Sequence, residues 1–150
     1  MGRSAIFQEF DLFGRDLSGL NLAKIDFRYA NLLATDLSDT ILEGANLRSI
    51  ELTGASLEGV NLRGADLAYA ELEGACLKQA DLSGAKFNGA HLNRVYGSEV
   101  EFINVDLSNV SLVGADLTGA NLNYEFNREG LLLVHFLRLL KQNCAPKYGN

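Results

Sequence analysis

His91 and His135, Cys76 and Cys144, and nineteen carboxylates are the side chains of this chain that could ligate a metal, attack as nucleophiles or move a proton. Histidine and cysteine hold zinc when they recur at short fixed intervals, and these four do not. Cys76 stands where its neighbours in the pattern carry Asn or Asp, so its chemistry reduces to that of a single thiol open to labelling. No glycine-rich phosphate loop or nucleophile elbow is present. No catalytic residue, metal ligand or cofactor is therefore expected, and the chain reads as a non-enzyme. What remains is charge display by the carboxylates.

The totals narrow the partners. A net charge of −6 opposes direct binding to nucleic-acid phosphates or to an anionic membrane surface. The longest apolar run, 131–136 with Leu137, Leu139 and Leu140, is too short to span a bilayer. Two distant cysteines make no disulfide framework, and the first residues show no long apolar core, so a cytoplasmic location is the expectation. The chain has 15 glycines but only 1 proline and no tryptophan, which suits regular turns better than a disordered linker.

Those carboxylates sit on a repeat. From Phe7 to Leu122 every fifth residue is Leu at 19 of 24 positions, Phe at four, and Gly only at Gly97. Two places earlier stands a small or apolar residue, Ala at twelve positions. The residue between is Asn or Asp at 13, and Gly follows two after the Leu at eleven. A helix would rotate successive leucines by about 140°, leaving no apolar stripe. A long strand would send them to alternate faces. A short extended piece followed by a corner fits instead. The Ala and Leu then point in, the Asn or Asp points out, and Gly serves the corner.

This gapless A-(N/D)-L-x-G pattern over about 120 residues resembles the pentapeptide repeat family. The resemblance implies an all-β solenoid, a right-handed quadrilateral β-helix of about six four-sided coils. It would occupy 5–124, with a C-terminal α-helical cap over 125–150. Assigning residues to four walls in rotation places corner glycines unevenly: four, three and three on the Leu12, Leu17 and Leu22 walls, and Gly89 alone on the Phe7 wall. The Leu17 wall collects Asp16, Asp36, Asp39, Glu58, Glu99 and Asp116 against Arg15 and Lys78. The adjacent Leu12 wall carries Asp11, Glu51, Glu71 and Glu73 against Arg94. Asp16, Asp36, Asp39, Glu58, Asp116, Glu51 and Glu71 are thus the candidate acidic interaction face, although outward residues must be polar in any case. Fluoroquinolone-resistance members of the family are dimeric rods taken to imitate duplex DNA and bind DNA gyrase. This chain is short and lacks obvious inserted loops, which sets it apart from them.

Two places break the pattern. Gly97 removes a core side chain, so either Tyr96 swings inward or the coil bulges outward. The plain reading is a tolerated defect, and the sharper one an exposed bulge at Tyr96 and Gly97 that presents Tyr96 to a partner. After Leu122 the repeat ends, and 127–142 read as a helix between Asn127 and Pro146. Its Leu132, Leu133, Phe136, Leu137, Leu139 and Leu140 cover an arc wider than one buried face needs. Capping the last coil, and a homodimer through the same helix, are the expected uses. The function expected is a noncatalytic protein-interaction or scaffold module with an unidentified protein partner. The alternative is a DNA-mimic inhibitor or protector of gyrase.

Overall fold

The computed structural model describes residues 10–121. Each outward-slot residue pairs in parallel with the residue twenty places on: Asp11 with Asn31, Asp16 with Asp36, and so through Glu101 with Asn121. Twenty residues therefore make one circuit, and four five-residue sides close it. The bonds repeat with the circuit. The amide of Leu62 donates to the carbonyl of Asp81 at 2.8 Å, and the amide of Asp81 donates back to Val60 at 3.0 Å. Within most sides, a bond such as Ala65 N–H to Leu62 C=O (3.0 Å) closes a four-residue turn.

The all-β solenoid or β-helix expectation needs correction. Among the described residues there is no helix, and parallel pairing is confined to single-residue bridges that join no strand or sheet. The reason is the corner. All 22 corner residues from Gly14 to Gly119 adopt positive φ, eleven of them glycine and eleven not. Such a residue every fifth position stops an extended run after about three residues, too few for a ladder to grow. The expected helical cap, with Leu132, Leu133, Phe136, Leu137, Leu139 and Leu140, lies outside the described residues.

The apolar slots fill the interior as the spacing requires. Leu32, Leu37, Leu42, Leu62, Leu67, Leu72, Phe87 and Phe102 are fully buried, as are Ala65, Ala70 and Ala75. Thr35 and Thr40 replace the small residue on the second circuit and are also fully buried. Each satisfies its hydroxyl by donating to the carbonyl of the circuit before: Thr35 Oγ1 to Leu12 at 3.0 Å, Thr40 Oγ1 to Leu17 at 3.1 Å. At the N-terminal end, Phe10, Phe13 and Leu20 are exposed and Arg15 faces solvent.

Corner side chains lean on the following circuit. A Cβ added at Gly59 would strike the carboxylate of Asp39, and one at Gly89 would lie 2.8 Å from the ring of Tyr69. Lys24 over Gly44, Arg94 over Gly114 and Glu99 over Gly119 repeat the arrangement at 3.4–3.6 Å. At Gly64 no obstacle stands within 4 Å. Gly64→Ala should therefore cost only the left-handed strain, about 1–2 kcal/mol. Gly89→Ala should cost more, because it also displaces Tyr69. Equal melting temperatures for the two variants would refute the stacking. Ala65→Leu should lower stability by roughly 1–3 kcal/mol through overpacking, read by chemical denaturation. No loss there would place Ala65 outside the core.

Candidate functional site

The outward Asn and Asp residues do a local task before any other. At eleven positions an Asn or Asp Oδ1 accepts the backbone N–H two residues on, as Asp16 does from Ser18 (2.9 Å), Asp36 from Ser38 (2.9 Å) and Asp116 from Thr118 (3.0 Å). The side chain thus ties the start of the corner, an Asx turn. Sequence reasoning placed these residues outside but missed this role. The preference for Asn and Asp over the longer Gln and Glu was the available signal.

The candidate acidic residues fall into separate groups. Asp16 and Asp36 occupy adjacent rungs of the Leu17 wall, and Glu51 and Glu71 adjacent rungs of the Leu12 wall. Beyond Asp36 the Leu17 wall continues through Ser56, Cys76 and Tyr96 before Asp116. Asp116 is thus four rungs, roughly 19 Å, from Asp36. The amide of Asp39 donates to the carbonyl of Glu58 at 2.8 Å, which places these two side by side. Glu58 pairs with Lys78 at 3.3 Å, and Glu71 meets His91 Nδ1 at 2.9 Å. Glu51 accepts the Thr53 amide at 3.1 Å.

At the pattern break, the ladder passes through Gly97 intact, although no Val100 N–H to Gly97 C=O bond closes the turn of this side. The Gly97 amide donates to Asp116 at 2.7 Å, and Tyr96 exchanges ladder bonds with Ala75 (3.0 Å) and Leu77 (2.8 Å). No bulge forms, and Tyr96 points outward. Leu117 from the next circuit fills the missing space: its Cδ2 lies 2.9 Å from where a Gly97 Cβ would stand.

The opposite wall, carrying Phe27, Leu47 and Leu67, holds Arg28, Arg48 and Lys86. Arg28 grips Asp26 with two parallel bonds at 2.8 and 2.9 Å. Arg48 reaches Asp66 at 3.2 and 3.3 Å, and its guanidinium carbon lies 5.5 Å from the centre of the Tyr69 ring. No group of His, Cys, Asp or Glu among the described residues is arranged to hold a metal ion. Nor is any helix among them long and apolar enough to cross a membrane.

The family model for pentapeptide repeats, in 8 copies, matches residues 5–44, 45–84, 75–112 and 101–124. The chain belongs to the pentapeptide-repeat family, and that membership makes it a noncatalytic interaction module. A search of curated proteins finds no match. Among solved structures it is similar to a pentapeptide repeat protein from the Arabidopsis thaliana thylakoid lumen, at 27% identity. That match covers 81% of this chain and 75% of the other, with a TM-score of 0.47. It is similar to Rfr23 from the cyanobacterium Cyanothece 51142 at 23% identity, covering 78% and 91%, with a TM-score of 0.38. A third similar structure is full-length QnrB1, a plasmid-mediated fluoroquinolone resistance protein: 20% identity, 81% and 72% covered, TM-score 0.30. None of these overlays reaches 0.5, so the repeat itself carries the assignment.

The turn bonds also hold protons off. The Ser18 hydroxyl and amide lower the Asp16 pKa, and Thr118 acts likewise on Asp116. The Arg28 side chain lowers that of Asp26. At Asp81 partial burial pushes upward, but bonds from Ser83 and Arg63 outweigh it. All four are depressed in the folded chain, so their stabilisation is complete above the ordinary value of 3.8 and is lost as pH falls through the folded values. The melting temperature should stay level from pH 7 to about 5 and drop below about 4. The double variant Asp16→Asn, Asp116→Asn keeps the turn acceptors and should fall less steeply. An identical acid profile would mean these carboxylates contribute nothing to the drop.

Proposed function

We propose that this chain is a protein-interaction scaffold whose Leu17 and Leu12 walls dock a basic partner, in a cytoplasmic setting. The observation that carries the reading is the choice of Asp over Asn. An Asx turn needs only the Oδ1 acceptor, which both residues offer. On the Leu17 wall all three turn-tying residues, Asp16, Asp36 and Asp116, are Asp, whereas on the Leu22 wall Asn21 and Asn61 share the role with Asp81. The Phe27 wall also favours Asp but offsets it with Arg28, Arg48 and Lys86. Uncompensated charge is thus specific to one side of the rod.

A DNA-mimic inhibitor of gyrase is a second reading of the same walls. The Leu12 and Leu17 walls together carry about seven net negative charges along roughly 27 Å of rod, or one per ~4 Å. Duplex DNA carries one per about 1.7 Å. This density favours a partner less demanding than a duplex-binding groove.

Neutralising Asp36→Asn and Glu58→Gln keeps size and, at Asp36, the turn bond. Capture of the scaffold's partner should weaken with this pair and with added salt. A partner recovered equally by the neutralised rod would remove the acidic-wall reading. A supercoiling assay with purified gyrase tests mimicry, and no inhibition at tens of micromolar would end it.

A further inference from the structure

Tyr96 is the only tyrosine or phenylalanine in an outward ladder slot among the described residues, and it is 62% exposed. Its phenol makes no hydrogen bond to another described residue. Next along the ladder is Asp116, whose Oδ1 is committed to the Thr118 amide and hydroxyl while Oδ2 has no described partner. Glu99 closes the corner beside Tyr96, one of its carboxylate oxygens taking the Gln79 amide at 2.9 Å. The backbones of Tyr96 and Asp116 therefore stand one rung apart, about 4.8 Å.

The Phe27 wall shows a tyrosine and an aspartate sharing an arginine, although there both stand on one side of a circuit rather than on adjacent rungs. There the Arg48 guanidinium lies over the Tyr69 ring at 5.5 Å while bonding the Asp66 carboxylate at 3.2 Å. The Leu17 wall offers ring and carboxylate without the guanidinium. Lys78, the cation nearest along this ladder, is engaged with Glu58. We propose that Tyr96, with Asp116 and Glu99, is the anchor for an arginine of the basic partner segment. The plane of the guanidinium would lie on the ring, its N–H groups directed at Asp116 and Glu99. This rests on the acidic-wall reading and makes it specific, since bulk charge attracts lysine and arginine alike while a stacked, forked contact prefers arginine.

Labelled octa-arginine and octa-lysine peptides, followed by fluorescence anisotropy at low and physiological salt, separate the two levels. The wild-type chain should bind octa-arginine more tightly. Tyr96→Ala should weaken octa-arginine about two- to fivefold and bring it level with octa-lysine, whereas Tyr96→Phe keeps the preference. Asp116→Asn should weaken octa-arginine more than octa-lysine. Asp36→Asn, at the other end of the wall, should weaken both alike. If Tyr96→Ala binds as wild type while Asp36→Asn and Asp116→Asn weaken both peptides equally, the wall acts by charge alone and the anchor is wrong. If neither peptide binds at low salt, the acidic-wall reading fails and the anchor falls with it.

Discussion

One backbone requirement governs this molecule: every fifth residue must hold positive φ so that the next side can begin. For residues other than glycine that conformation costs roughly 1–2 kcal/mol, and only half of the 22 corners are glycine. The strain persists because most corners are fixed by bonds on both sides, their own turn and the carbonyl nineteen residues ahead. Gln79, for example, takes positive φ while its amide donates to Ser98 at 3.0 Å. A circuit thus depends on its neighbour for the geometry that lets it exist, the short-range cooperativity of stacked repeats.

That dependence has a direction. Corner side chains lean toward the following circuit, so Asp39 needs Gly59, and Tyr69 needs Gly89. Surface identity at one level therefore restricts backbone identity at the next. Glycine at a corner answers two needs at once, freedom at positive φ and room beneath the preceding side chain. Where the corner above is already glycine, as at Gly64 above Gly84, the second need disappears, and the nearest atom to an added Cβ at Gly84 is Gly64 N at 3.9 Å.

Much of this was legible from spacing. A gapless frame of five, with Leu and Ala two apart, dictated the inward set that Leu62, Leu67, Leu72 and Ala65 now occupy. The twenty-residue circuit, expected from a resemblance and from uneven corner glycines, is written in bridges such as Asn61 to Asp81. Strand content was overstated because periodicity reveals which way side chains point and not how long an extended run lasts. Corners at Gly59 and Gly64 leave a single bridged residue, Asn61, between them. How the circuit accommodates Gly97 was not legible, because a missing side chain was considered within one circuit. The vacancy is filled from the next, by Leu117, a contact twenty residues away that no local pattern exposes.

The Asx turn explains why acidity alone is a weak guide to function in such a rod. Asn31 and Asp36 tie their corners through the same oxygen, at 3.1 and 2.9 Å, although only one carries charge. The fold leaves that choice nearly free, so a wall can become acidic without disturbing the circuit beneath it. A free choice becomes informative when it is made consistently and left uncompensated. On the Phe27 wall it is compensated, since Arg28 and Arg48 take up Asp26 and Asp66. On the Leu17 wall Asp16, Asp36 and Asp116 each give one oxygen to their own turn and leave the other without a described partner. The internal work of those carboxylates is done by half of each group, and the remaining half faces solvent, already oriented by the turn. Orientation of this kind would lower the entropy lost if a cation docked there, which is the physical ground of the acidic-wall proposal.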